Sequence, residues 1–458
     1  MELNLNDPRV NRYLQVYNYY KDLILSGKLS PGMKLPSIRR CSMQLQLSKT
    51  TVEAAYLLLA AEGYIISRPQ SGYYVTDFYA SGSPEPWKEE QSGKPGPEIR
   101  YDFASAKVDR DSFRFELWRR YIKSALRQDE RLLSYGEPQG EWELREALSI
   151  YLSRGRNVVC TPDSIVVGAG IQSLLQLLCP MIRKRNPVYF YQTGFRQGRQ
   201  IFEDYGFEMR QIGKTADAEQ RSERISEQMS SGSICYLTPS QMTSWGEVMR
   251  ISERMDLLKE AAKKDILLIE DDYNSEFRYY SRPTPSLQGL SGGRGVVYLG
   301  TFSRLLLPSI RMSYMVLPPE LLTLYLERGR YYNQTASKAE QIALCQFIRD
   351  GHLESQIRKS RKLYEAKAKR LGEEALRVFG KRVSVHPGEA GFLVLLQLDT
   401  PLCSQEIAKR AAAAGVAVRP VEEEKSECGR SRILLSCASM AVEEYEAALK
   451  LLHKAVYS

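Results

Sequence analysis

The sequence predicts a multidomain chain: a small domain of helices and a hairpin at the N-terminus, then a larger α/β domain that ends in a small α+β unit. Three observations carry this. At 458 residues the chain exceeds what one hydrophobic core normally organises. The run ASGSPEPWKEEQSGKPGPE, residues 80–98, is rich in Gly, Ser, Pro and charge, buries little and reads as a tether. Helices and a hairpin precede it, whereas apolar strand-like runs alternate with helical patterns after it.

Composition narrows the function classes. Hydrophobic residues at 43% and charged residues at 26% describe an ordinary globular protein. No apolar run approaches ~20 residues, and MELNLNDPRV lacks the layout of a signal peptide, so a cytoplasmic location without a membrane partner is expected. The eight cysteines form no C-x-x-C pair and there are three histidines, so no disulfide framework and no metal site are expected. A net charge of +9 suits an acidic partner.

The charge is concentrated near the start. Between Asp22 and Glu53 there is no acid, but Lys28, Lys34, Arg39, Arg40 and Lys49 fall there. A first helix is expected from about Asn11 to Leu25, with Tyr13, Tyr17, Tyr20 and Ile24 at helical spacing. Gly27 and Ser30-Pro31-Gly32 end it. A short second helix follows Pro36, capped by Ser37, with Ile38, Cys41 and Leu45 inward. A third opens at the N-cap Ser48 and carries Val52, Ala55, Tyr56 and Leu59 on one face until Gly63. Tyr64–Ser67, a turn at 68–72, and Tyr73–Thr76 then read as a hairpin.

Three helices and a hairpin make a winged helix-turn-helix, whose third helix fits the major groove of DNA. Ser48, Lys49, Thr50 and Thr51 would face base edges, Arg39 and Arg40 phosphates, and Gln70-Ser71-Gly72 a neighbouring groove. The stretch from Ile24 to Val75 resembles the DNA-binding domain of the GntR family. The matching pieces are Gly27, Pro31-Gly32, Leu35-Pro36-Ser37, Ser48 through Val52, Tyr56, Leu59, Glu62-Gly63 and Ser71-Gly72.

Beyond the linker, strands are expected at Ser164–Val167, Val188–Tyr191, Ser233–Thr238, Ile266–Ile269 and Val296–Gly300. Interleaved with helices, they imply a largely parallel sheet whose ligands bind past the carboxyl ends of the strands. Gly168-Ala169-Gly170 follows the first run and opens a helix expected at Ser173–Met181; small residues there can present N–H groups to a phosphate. Glu270 through Tyr279 follow the fourth run. Thr301-Phe302-Ser303-Arg304 and Ile310-Arg311-Met312-Ser313-Tyr314 follow the fifth.

That order, with Tyr135 through Gly140 and Leu144-Arg145, resembles the fold-type I aminotransferases. With the GntR-like head it resembles specifically the MocR-type regulators. The resemblance implies a pyridoxal phosphate site, with Asp271 at the ring nitrogen, Tyr273 at the phenolic oxygen, and Thr301, Ser303 and Arg311 at the phosphate. The pattern G-T-F-S-K, whose lysine forms the Schiff base, reads Gly300-Thr301-Phe302-Ser303-Arg304, and no lysine occurs between Lys264 and Lys338. Arginine stays protonated and cannot supply a neutral amine.

Three further family segments depart. P-G-Y reads Thr193-Gly194-Phe195, H-Q-F-P-T-G reads Gln241 through Gly246, and L-R-L-G-F reads Ile433 through Cys437, with Leu434 at the arginine that would bind a carboxylate. Two readings of the retained residues stay open. Asp271 serves a noncovalently bound pyridoxal phosphate or another anion, or it pairs with Arg304 or Arg311 as a structural ion pair. The C-terminal strands are expected at Ser384–His386, Phe392–Leu398, Val416–Val421 and Ile433–Cys437.

The expected domains are 1–79 (winged helix-turn-helix), 80–99 (linker), 100–335 (aminotransferase-like large domain) and 336–458 (small C-terminal domain). The expected function is a sequence-specific regulator that binds double-stranded operator DNA as a homodimer. Its aminotransferase-like domain would be a catalytically inactive scaffold and a sensor of a small-molecule effector. The rival is an active pyridoxal phosphate aminotransferase with an accessory DNA-binding head; Arg304 and Leu434 separate the two.

Overall fold

The computed structural model describes residues 11–77, 98–105, 107–191, 195–212, 227–243, 246–272, 274–278, 284–329, 331–388, 391–421 and 430–458. The chain forms two compact units, Met1–Gly96 and Pro97–Ser458.

The first unit runs α1 (Arg12–Leu25), α2 (Ile38–Leu45), α3 (Lys49–Ala61), β1 (Ile65–Arg68) and β2 (Gly72–Val75). Helix α1 buries Val16, Tyr17, Tyr20 and Ile24; Tyr13, expected on that stripe, is only half-buried, because Val16 occupies the inner position. Both serines expected as caps act as caps: Ser37 Oγ accepts from the Arg40 N–H and Ser48 Oγ from the Thr51 N–H, each at 3.2 Å. β1 and β2 pair antiparallel from Ile65↔Val75 to Arg68↔Gly72. Tyr56 ties the unit together. It is fully buried, its hydroxyl donates to the Pro36 carbonyl at 3.0 Å, and its ring meets Tyr20 and Tyr73 edge-on at 5.5 and 5.1 Å.

The second unit is built on a seven-stranded sheet. After a two-residue strand β3 (Tyr101–Asp102) come β4 (Ile165–Gly168), β5 (Val188–Tyr191), β6 (Met209–Ile212), β7 (Ile234–Leu237), β8 (Leu267–Asp272), β9 (Val296–Thr301) and β10 (Ser313–Val316). Their order is β4-β10-β9-β8-β7-β5-β6. Neighbours from β9 to β6 are parallel, and β10 runs antiparallel to both β4 and β9.

The strands legible as apolar runs are buried on both faces, as crossover helices require. Two strands carried no such signal. Met209–Ile212 is an edge strand with Arg210 and Gln211 exposed, and Ser313–Val316 was hidden behind a loop motif. The helix expected at Ser173–Met181 starts earlier and spans Ile171–Leu178.

A four-stranded antiparallel sheet follows, from β11 (Val383–Pro387), β12 (Leu393–Asp399), β14 (Arg419–Pro420) and β15 (Arg430–Ser436), beside the long helix His352–Phe379. The single strand expected at Val416–Val421 is two. β13 (Val416–Ala417) pairs in parallel with β3, while β14 pairs with β15. The chain turns at Val418, so the two halves serve different sheets.

Candidate functional site

In the first unit, Arg39 and Arg40 lie exposed in the first turn of α2, and Lys49 and Thr50 in that of α3. Ser48 is committed to its own turn: besides capping, its hydroxyl bonds those of Thr50 and Thr51 at 2.8 and 2.7 Å. At the hairpin tip Gln70 is left-handed at φ 60° and Gly72 at φ 106°, and Ser71 Oγ bonds Tyr74 Oη at 2.6 Å. The structure adds Arg68 to the basic residues of this unit and sets Lys34, already in the acid-free window, at the wing beside it. Arg68 lies 4.6 Å and Lys34 5.8 Å from the centre of the Tyr74 ring, so the wing is basic.

In the second unit, three strand ends meet at one carboxyl edge. Ser313 pairs with Thr301 of β9 and with Gly168 of β4. Thr301 Oγ1 accepts from Ser313 Oγ at 2.8 Å and from the Ser303 N–H at 3.2 Å, and donates to Ser303 Oγ at 3.2 Å. Ser313 is thus a hydroxyl of the same cluster, unmarked in the sequence because it reads as part of a loop.

Gly170 caps the helix Ile171–Leu178 at φ 96°, and a Cβ there would stand 2.5 Å from Arg311 Nη2. Only glycine lets the guanidinium lie on this loop. Arg311 itself is left-handed at φ 47°, a strained conformation for a side chain of its size. A helix N-terminus, a guanidinium and three hydroxyls on neighbouring segments suit a phosphate.

On β8 successive acids face opposite ways, as strand geometry requires. Glu270 accepts the Leu287 and Gln288 N–H groups at 3.0 Å and pairs with Arg254 at 3.5 Å. Asp272 pairs with Arg156 at 2.7 Å and accepts Ser240 and Tyr298 hydroxyls at 2.7 and 2.6 Å. Burial opposes ionisation of Asp272, but the Arg156 guanidinium and those hydroxyls hold its carboxyl below the usual range.

Asp271 differs. Its Oδ2 accepts the Tyr236 hydroxyl at 2.5 Å, and its Oδ1 is buried with no partner among the described residues. It pairs with neither Arg304 nor Arg311, so the buried ion pairs of this strand belong to Glu270 and Asp272 instead. Burial pushes the Asp271 carboxyl up to about 7, against the pull of the Tyr236 hydrogen bond and with the push of the Asp272 charge.

Tyr273, Thr193-Gly194 and Ser244-Trp245 lie outside the described residues. Arg304 follows β9 and holds its guanidinium 5.4 Å from the Phe392 ring centre. Leu434 is buried on β15 opposite Leu395. Asn274 donates to Gln241 Oε1, and its own Oδ1 is a second buried acceptor with no partner among the described residues.

Comparison with known proteins accounts for both units. Residues 12–75 match the model of the gntR family of bacterial regulatory proteins, and residues 103–452 that of aminotransferase class I and II. The chain is 38% identical over 414 residues to the uncharacterized HTH-type transcriptional regulator YdeL of Bacillus subtilis, covering 89% of each chain. It is 27% identical to the probable rhizopine catabolism regulatory protein MocR of Rhizobium meliloti, covering 91% of this chain and 88% of that one. A kynurenine aminotransferase of Pyrococcus horikoshii shares the fold, with a TM-score of 0.66 and 24% identity over 78% of this chain and 90% of that one. The helix-and-wing head and the aminotransferase-like sheet thus each match a known family, in the order found in these relatives: the chain belongs to the MocR-type transcriptional regulators, GntR-family DNA-binding proteins fused to a class I and II aminotransferase domain.

Proposed function

We propose that this regulator is sequence-specific and catalytically inactive, and that its aminotransferase-like unit senses a ligand of the pyridoxal phosphate class, held without a covalent bond. The observation that carries the reading is Asp271: a buried carboxyl with one oxygen unsatisfied among the described residues suits an N–H donor supplied by a ligand. Asp271 aligns with Leu299 of β9, two residues before Thr301. One strand spacing and two residues of rise separate acid and hydroxyls by roughly 8 Å of backbone, which suits a single phosphorylated ring.

Asp271 would hold the ring nitrogen, Thr301, Ser303, Ser313 and Arg311 the phosphate, and Tyr273 the phenolic oxygen. When bound, pyridoxal phosphate supplies an aldehyde able to form imines with amines. The usual amine is lacking in this chain, because Arg304 stands in its place. The buried Leu434 offers no clamp for a carboxylate. Both features favour a sensor over the rival transaminase. The domain bounds we propose are 1–79, 80–99, 100–335 and 336–458; the division between the two units Met1–Gly96 and Pro97–Ser458 falls inside the second of these.

For the DNA-binding head, Lys49 and Thr50 are the base-facing residues and Arg39, Arg40 and the wing the phosphate contacts; Ser48 and Thr51 serve the helix start. A homodimer suits paired half-sites. The exposed Leu133, Tyr135, Tyr331 and Tyr332, on two segments joined by Lys338 Nζ donating to Ser134 Oγ at 3.1 Å and Gln334 Nε2 to the Pro138 carbonyl at 3.1 Å, form a surface suited to a second copy.

Native and denaturing mass spectra of the protein with added pyridoxal phosphate test the ligand. An adduct in the native spectrum alone supports the proposal, and one that persists on denaturation refutes noncovalent binding. Operator binding by Arg39→Ala and Lys49→Ala variants tests the head. Each lost phosphate contact lowers the slope of log K against log salt by about 0.9, so an unchanged slope in Arg39→Ala takes that residue off the phosphates; Lys49→Ala should lose preference for operator over random DNA, and an unchanged preference takes Lys49 off the bases.

A further inference from the structure

Asp271 Oδ1 has no partner among the described residues, whereas its sister oxygen is held. Tyr236 lies on β7, beside β8, with its Cα opposite Ile269, so its hydroxyl reaches two residues ahead to Asp271 Oδ2. The ring is fully buried. It stacks on Phe190 of β5 at 4.7 Å and 10° and meets Phe202 edge-on at 6.4 Å, so the phenol has no room to swing.

The flanking acids Glu270 and Asp272 take Arg254 and Arg156 on the opposite face, and among the described residues no cation pairs with Asp271. Asp272 is the charged group that bears on it. Asn274 Oδ1, three residues on, is a second buried acceptor with no partner among the described residues.

We propose that Tyr236 is a positioning residue: its hydroxyl pins Asp271 Oδ2 and so fixes Oδ1 as the oxygen presented to a ring N–H of the ligand. This rests on the pyridoxal phosphate reading for the identity of the ligand, but the placement of the carboxylate does not depend on it. A donor to one oxygen favours the anion without neutralising it, so the pinned carboxylate is oriented and still able to accept a proton or an N–H. A purely structural tyrosine would only fill the space between Phe190 and β8.

The test follows Asp271 in the ligand-free protein by its protonated-carboxyl stretch in the infrared, assigned by its disappearance in Asp271→Asn. In Tyr236→Phe the midpoint of this band moves up by about one pH unit, and pyridoxal phosphate binding weakens about tenfold with its pH profile displaced the same way. Replacing Tyr236 by 3-fluorotyrosine, a stronger donor of nearly the same shape, moves the midpoint down. This arm decides the matter should the phenylalanine variant fail to fold. A midpoint unmoved in either variant overturns the proposal, whatever happens to thermal stability. A wild-type protein that takes up no pyridoxal phosphate refutes the ligand reading instead and leaves the infrared result to judge Tyr236.

Discussion

Replacing Asp271 by Asn should stabilise the ligand-free protein, and by an amount that depends on pH. The carboxyl ordinarily titrates at 3.8 and here at about 7 because it is buried. Each tenfold difference is about 1.4 kcal/mol, so ionising it in the folded chain costs about 4 kcal/mol, with relaxation reducing the measured figure to about 1–3 kcal/mol.

The sign follows from proton uptake. Below pH ~4 the group is protonated in both folded and unfolded chains and contributes nothing. As pH rises toward 7 the unfolded chain loses the proton first, and stability falls; above 7 the full penalty is present. Asn keeps the acceptor for Tyr236 and removes the charge. The gain over wild type should therefore be near zero at pH 4, grow through pH 5 and 6, and level off beyond pH 7. Urea denaturation across that range reads it out. The variant should also lose affinity for pyridoxal phosphate. A variant equally destabilised at every pH would mean that Asp271 ionises at ordinary cost, and the argument for an unsatisfied carboxyl would fall.

Gly170→Ala forces a side chain into a left-handed backbone and against Arg311. We expect a loss of about 1–2 kcal/mol and much weaker binding of inorganic phosphate, read by thermal shift with and without phosphate; unchanged phosphate binding would show that the loop is no anion cradle. Arg156→Met strands the buried Asp272, and denaturant unfolding should report a loss of about 3–5 kcal/mol; a loss under 1 kcal/mol would mean that Ser240 and Tyr298 suffice. Arg304→Lys restores an amine after β9, and borohydride treatment with pyridoxal phosphate should fix a single adduct at position 304 by peptide mass. Absence of the adduct would show that the remaining contacts no longer hold the aldehyde against that residue.

Much of this molecule was legible along the chain because local rules dominate there. Ser37 and Ser48 cap helices since a hydroxyl beside a free N–H needs nothing else, and Val188–Tyr191 reads as a strand since a short β-rich apolar run has few other uses. The GntR-like and aminotransferase-like patterns set the architecture, and Arg304 and Leu434 are statements of the sequence alone. Met209–Ile212 was not legible, because an edge strand with Arg210 and Gln211 outward lacks an apolar run. Neither was the break at Val418, because which sheet a residue joins is decided by distant partners.

Tertiary structure decided the chemistry of the acids. Three neighbours, Glu270, Asp271 and Asp272, look alike in sequence, and alternation on a strand sends two toward arginines and one toward a tyrosine. That single geometric fact gives Glu270 and Asp272 buried ion pairs, leaves Asp271 with an oxygen that has no partner among the described residues, and brings Tyr236, 35 positions earlier, into the site.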